Sequence, residues 1–314
     1  MVALTIRLFG RFEIRFEDHP TGALNARRAR ELLSYLVLHR NHPQHREALA
    51  GLLWENVEPA QARKYLRQAL WQVQTALHPY VATEGAQPLE VDPEWIQLNG
   101  CDQLKVDVFR FEEATCSCHG IPGAQLDDAG RQSLEDAARL YRGDLLEGWY
   151  QDWCLLERER LQNDFLDALE KLVCSCEARC DSERGLNHAK RMLGVDPARE
   201  QVHRHIMRLH VLAGNRTQAL RAFQRCERVL MQELGVTPSQ QTCALHESIR
   251  GGRALGAWPD PESIGAAGSA SGIARDHMPA LVDLLKRVQL LFADIETRLR
   301  QDIAAPEVSR RTPE

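Results

Sequence analysis

Residues 62–77 read ARKYLRQALWQVQTAL. Three cations and three glutamines stand there without a carboxylate, in a chain of formal net charge −5. At helical spacing Leu66, Leu70, Val73 and Leu77 share one face. The opposite face carries Arg63, Lys64, Arg67, Gln68, Trp71, Gln72 and Thr75. Arg63, Arg67 and Trp71 follow one line, and Lys64, Gln68 and Gln72 its neighbour. Such side chains have a defined chemistry. Arg takes guanine O6 and N7 in a bidentate pair, Gln takes adenine N6 and N7, and either cation neutralises phosphate. Trp71 can pack on a thymine methyl or a sugar. A helix of this width fits the major groove of B-DNA. A solvated face, with Trp71 covering an apolar rim, has the same composition, so two readings stand side by side.

Other groups of reactive residues point less clearly to a site. Cys116, Cys118 and His119 cluster, and Cys174, Cys176 and Cys180 follow on one long helical stretch. Zinc favours such ligands. On a helix, however, Cys174 and Cys176 project about 200° apart and cannot chelate together. Buried or idle thiols are the default, and no metal or cofactor is expected. His203, His205 and His210 lack a metalloprotease arrangement, and His39, His42 and His45 surround a turn. There is no GxSxG and no GxxxxGK[ST]. The chain reads as a non-enzyme.

The elements that must position the opening helix follow from periodicity. Residues 3–18 alternate apolar and polar as two strands with a turn at Gly10-Arg11, and a third short strand follows residues 19–25. Residues 26–40 put Leu32, Leu33, Leu36 and Val37 on one helical face. A second helix over 46–54 turns Leu49, Leu52 and Leu53 inward. Pro59 favours the first turn of the third helix, over 60–78, and Pro79 ends it. Runs at 88–91 and 95–99 around Asp92-Pro93-Glu94 form a hairpin. These parts make an α+β domain over residues 1–107.

From residue 108 the pattern is helical, over 108–117, 130–141, 152–180, 183–194, 199–213, 216–234 and 238–250. LGVDP at 193–197 returns as LGVTP at 234–238, each closing one helix and launching the next with Gly at the C-cap. Paired helices on this period suggest a degenerate tetratricopeptide-like array over 108–250. Trp149, Tyr150 and Trp153 are expected to pack the two parts together. Residues 251–277 read as a flexible linker. Residues 278–302 read as an amphipathic helix with a short heptad seam, and 303–314 as a tail. The fold class is therefore multidomain, α+β and then all-α.

Composition sets the class of partner. Apolar content of 44% and charged content of 26% are those of a globular chain. No apolar run approaches the ~20 residues that span a bilayer. The first residues show no secretory leader. Nine cysteines without a disulfide framework fit a reducing cytosol, so a cytoplasmic, nucleoid-associated protein is expected. Residues 1–80 carry 11 Lys and Arg against 7 Asp and Glu, leaving 28 against 37 for the remainder. A basic lobe on an acidic body is a footprint for nucleic acid.

The order of strands, the helices RRARELLSYL, REALAGLLW and ARKYLRQALWQVQTAL, and the closing hairpin resembles an OmpR-type winged helix. YRGDLLEGWYQDWCLLERERL at 141–161, AKRMLGVDP, RLHVLAGNRTQALRAF and ELGVTPS resemble the bacterial transcriptional activator domain. The pair looks like the Streptomyces antibiotic regulatory protein type. The resemblance implies a sequence-specific, promoter-binding transcription regulator, usually an activator, that binds double-stranded DNA as a dimer. Arg63, Lys64, Arg67, Gln68, Trp71 and Gln72 fall on the family's recognition helix. Arg27, Arg28 and Arg30 fall on its first helix, as phosphate clamps or as a solvated basic turn. The loop Glu55–Ala60 corresponds to a segment that can touch RNA polymerase. One departure stands out: the hairpin region carries Glu84, Glu90, Asp92 and Glu94 and no cation, which repels phosphate. A helical-repeat adaptor whose winged part has lost its DNA affinity is the rival reading.

Overall fold

The computed structural model describes residues 4–16, 19–20, 24–40, 42–81, 89–99 and 104–252. The linker (from residue 253), the amphipathic helix 278–302 and the tail 303–314 lie outside the described residues. Residues 1–253 form one compact unit.

The chain opens with a meander of β1 (Leu4–Arg7), β2 (Glu13–Phe16) and β3 (His19–Pro20). Leu4 and Ile6 alternate inward with half-buried Thr5 and Arg7, as period 2 requires. A strand that was not expected, β7 (Leu104–Val106), pairs parallel with β1 and closes the order β3-β2-β1-β7. Between these strands come α1 (Arg27–Leu38), β4 (Gln44–His45), α2 (Arg46–Leu53) and α3 (Pro59–Val81). The hairpin of β5 (Leu89–Val91) and β6 (Trp95–Leu98) follows, and β4 adds to its edge.

Leu32, Leu33, Leu36 and Val37 of α1 are buried, as are Leu49 and Leu53 of α2. Leu52 departs from expectation: it is 44% exposed. On a helix of only eight residues the buried stripe is narrow, and Leu49, Ala50 and Leu53 fill it. The three helices pack pairwise, and α1 also meets β6. A small helical trio flanked by a sheet and a hairpin is the winged-helix arrangement.

The remaining elements are α4 (Asp107–Ser117), a single 3-10 turn (Gly123–Gln125), α5 (Asp128–Leu140), α6 (Asp152–Ala178), α7 (Ser182–Val195), α8 (Glu200–Leu212), α9 (Arg216–Glu233) and α10 (Gln240–Arg250). From α6 to α10 each helix packs on the next. The two echoes end differently. Gly235 takes φ +68 behind α9, where the Leu234 and Val236 amides both donate to Leu230 O. Gly194 stays inside α7, which stops at Asp196 instead, so the expected glycine cap holds in only one copy. Gly185 lets α7 approach its neighbours: a Cβ there would lie 2.7 Å from Leu209 Cδ2 and 3.1 Å from Cys176 Cβ.

The joint between sheet and helices is dense. Leu8 N and Phe9 N donate to the buried Asp107 carboxylate at 2.9–3.0 Å. Gly10 N donates to Asp144 O, and Leu146 N to Leu8 O. Phe9 packs on Phe111 and Tyr141, and Tyr141 stacks on Phe165 at 4.0 Å. Of the expected aromatic knot, Trp149 stacks on Phe12 and Trp153 meets Tyr35 edge-on, while Tyr150 is 77% exposed.

Candidate nucleic-acid interface

The interface is built on α3. Glu58 starts it by accepting from Ala62 N through its carbonyl and from Gln61 N through its carboxylate. Pro59 opens the first turn, where no amide partner is needed, and the helix runs through Pro79 to Val81 instead of ending at 78 as expected, because a proline so near the C-terminus costs only its own missing amide bond. Ala62, Leu66, Ala69, Leu70, Val73, Ala76 and Leu77 are buried, which fixes the rotation of the helix.

That rotation turns Arg63, Lys64, Arg67, Gln68 and Trp71 outward, all exposed, while Gln72 is half-buried at the border. Trp71 is 65% exposed and has no hydrogen bond or ring partner among the described residues. By contrast Trp54, 8% exposed, is enclosed and packs 6.2 Å from Tyr65. Arg63 Nη1 meets Glu47 Oε1 at 3.2 Å, both side chains exposed, a pair that water and salt keep weak. Lys64 and Arg67 make no ion pair with a described residue.

A cleft of about 490 Å³ separates α3 from the hairpin turn, lined by His45, Arg46, Glu47, Arg63, Leu66, Arg67, Pro93 and Glu94. Arg46 holds the hairpin to α2: its amide donates to Glu94 O and its guanidinium to Asp92 O, both at 2.9 Å. Sequence reasoning missed His45 and Arg46. Their signal was their place at the start of α2, hidden because a two-residue strand has no period. Glu94 in the cleft keeps the acidic hairpin beside the cations.

The first-helix arginines divide. Glu31 is fully buried and accepts from Arg27 Nε at 2.9 Å, Arg28 Nη1 at 2.6 Å and Gln151 Nε2 at 2.8 Å. The Arg27 side chain is 80% exposed and that of Arg28 is 51% exposed. Arg30 serves the fold, donating to Leu24 O at 2.6 Å and lying over the Phe12 ring.

The other reactive residues are dispersed. Among the described residues no three His, Cys, Asp or Glu are grouped to hold a metal ion. Burial pushes the Cys176 thiol up to about 11 and that of Cys226 up to about 12, so both stay protonated at neutral pH. His205 is buried and meets Glu177 through Nδ1. Among the described residues no helix is long and apolar enough to cross a membrane.

The exposed basic α3 thus belongs to a winged-helix arrangement that is followed by a run of packed helices. Residues 106–250, from the last residue of β7 to the end of α10, match the bacterial transcriptional activator domain. It is 26% identical over 258 residues to the transcriptional regulatory protein EmbR of Mycobacterium tuberculosis, covering 78% of this chain and 63% of EmbR. It is 24% identical over 228 residues to MoaR1 of the same organism, covering 72% of this chain and 73% of MoaR1. It is 24% identical over 235 residues to the regulatory protein AfsR of Streptomyces coelicolor, covering 74% of this chain and 23% of AfsR. The chain thus spans less than two thirds of EmbR's length. A solved structure of Mycobacterium tuberculosis EmbR in complex with a low affinity phosphopeptide shares the fold, with a TM-score of 0.67 at 22% identity, over 90% of this chain and 71% of that one.

Proposed function

We propose that the chain is a sequence-specific DNA-binding transcription regulator, an activator, that reads promoter DNA through α3. The observation that carries this reading is the outward face of α3, where Arg63, Lys64, Arg67, Gln68 and Trp71 are exposed along one side. The relatives' names as transcriptional regulatory proteins support it. With α3 in the major groove, Arg63 and Arg67 address guanine and Gln68 and Gln72 adenine. Trp71 packs on a thymine methyl or a sugar, and Lys64 holds phosphate. Arg27 and Arg28 reach phosphate from the first helix. The DNA-binding part is residues 1–107, and 108–250 form a tetratricopeptide-like array that organises a dimer on paired half-sites. The exposed Glu55–Ala60 loop is the surface offered to RNA polymerase. The protein catalyses no reaction and acts in the cytoplasm on the nucleoid.

The test is selection of bound fragments from the source genome by the full chain, read by sequencing, beside the double variant Arg63→Ala, Arg67→Ala. A shared motif that disappears in the variant supports readout by α3. Glu47 on Arg63 and Glu94 in the cleft favour a second reading, a protein-binding adaptor without DNA affinity. Salt separates the two: a DNA reader loses affinity linearly in log salt, whereas fragments held without a motif, or not at all, favour the adaptor.

A further inference from the structure

The helical run holds a second feature, away from α3. Between α7, α8 and α9 lies a pocket of about 400 Å³. Its walls are apolar: Ile206 is buried, and Leu186, Leu193 and Val229 are half-buried. Its polar side chains are Lys190, His203, His210 and Arg225, with no carboxylate in the lining. This is unusual for the neighbourhood. At the start of α8 Arg199 pairs with Glu170, and on the helix Arg204 pairs with Glu200 and Arg208 with Glu177. Lys190 and Arg225, by contrast, pair with no described carboxylate, and each lies close enough to His210 to depress its protonation. Burial is the main cause of that depression and the two cations add to it, and His210 Nδ1 has no hydrogen-bond partner among the described residues. His203 is also held below the usual range, chiefly by burial, and its Nε2 faces Pro197 O at 2.9 Å. Asp196 and Glu200 act on His203 and are the nearest acids to it, but neither lines the pocket.

Two unopposed cations at the rim of an apolar hollow call for an anion with an apolar body. The volume lies within the range of small-molecule sites. We propose that this pocket binds a small organic anion, a carboxylate or phosphate monoester on an apolar skeleton. Lys190 and Arg225 take the anionic group, and Leu186, Ile206 and Val229 take the skeleton. The anion relieves the positive field at His210, so binding is coupled to proton uptake and tightens as pH falls. The proposal does not depend on the DNA reading, because the pocket and α3 share no residue.

The experiment titrates the full chain with naphthalene-2-carboxylate, 1-naphthyl phosphate and decanoate, with neutral 2-naphthamide as control, by calorimetry at pH 6 and pH 8. The expected result is saturable one-to-one binding of at least one anion, tighter than the amide by about tenfold or more, which is the ~1.4 kcal/mol of one lost charge contact. The double variant Lys190→Ala, Arg225→Ala should lose that preference while keeping its melting temperature, since both side chains are exposed. Binding of the anions should be weaker at pH 8 than at pH 6. Equal binding of amide and carboxylate, no saturable binding of any of the three anions, or full affinity in the double variant would each overturn the proposal.

Discussion

Arginine is used in opposite ways in two regions of this molecule. On α3, Arg63 and Arg67 project into solvent, and the one ion pair there among the described residues, to Glu47, is exposed on both sides. At the joint the guanidinium groups are occupied, whether half-buried, as in Arg158 and Arg40, or exposed, as in Arg160. Arg158 donates to Leu145 O, Leu146 O and Trp149 O at 2.9–3.0 Å. Arg40 lies 3.7 Å from the Phe109 ring centroid and meets Glu112 at 2.8 Å, and Arg160 meets the same Glu112 at 2.7 Å. A guanidinium whose donors are filled contributes cohesion. One whose donors face water contributes little to stability and remains available to a partner. Residue type alone does not distinguish the two, but donor occupancy does.

The largest effect expected from this contrast lies in the joint. Arg158→Ala removes the side-chain donor to Leu145 O and Trp149 O and leaves Leu146 O with the Trp149 amide alone, and should lower the unfolding free energy by about 3 kcal/mol, read by urea titration. A loss under about 0.5 kcal/mol would show that water serves those carbonyls as well as Arg158 does. The complementary change is Arg63→Ala with Arg67→Ala. It should leave the urea midpoint within error and weaken binding to the selected operator by about a hundredfold, or ~2.7 kcal/mol, measured by fluorescence anisotropy. If the double variant instead melts early and binds DNA normally, the assignment of the two regions is reversed.

Periodicity made most of this fold legible before coordinates. The helices that become α4–α10 fall within two residues of their expected bounds, because each carries a long amphipathic repeat. The outward face of α3 followed from Leu66, Leu70, Val73 and Leu77 alone. What escaped was non-local or short. β7 has three residues and gains its meaning only by pairing with β1, a hundred positions earlier. The burial of Glu31 has no local signal, because its partner Gln151 is 120 residues away. Arg30 read as a phosphate clamp or a solvated basic residue at the helix start, and its bond to the Leu24 carbonyl was in neither reading.

The joint also carries a titratable group, and it sharpens the contrast with the solvated α3. Burial pushes the Asp107 carboxyl up to about 6, against the opposing pull of the Leu8, Phe9 and Val108 amides and of Arg7. The unfolded chain releases the same proton near ~3.9. Below that value both states hold the proton and the contribution is constant. As pH rises toward 6 only the unfolded state releases it, so stability falls, by up to about 3 kcal/mol for a shift of this size. Above 6 the effect is complete. The stability of the wild type relative to Asp107→Asn should therefore decline from pH 4 to pH 6 and then level off. A relative gain over that window would mean that the amide donors outweigh burial.

The smallest effect tests the boundary between the two regions, at Arg27. Its side chain is mostly in solvent, yet its Nε reaches the buried Glu31. Arg28 and Gln151 also hold that carboxylate, at 2.6 and 2.8 Å, so Glu31 keeps two partners when Arg27 leaves. Arg27→Ala should consequently cost only about 0.5 kcal/mol of stability. A DNA phosphate competes for the same guanidinium and loses only that weak pair in exchange. Removing one such contact should lower the salt slope of operator binding by about 0.9 and the affinity several-fold, equally across sequences. Arg28, closer to Glu31 and less exposed, should show the reverse balance, with a larger drop in melting temperature and a smaller change in slope. An unchanged slope for Arg27→Ala would assign Arg27 to the joint and leave α3 and the Arg46 cleft as the whole of the cationic surface offered to DNA.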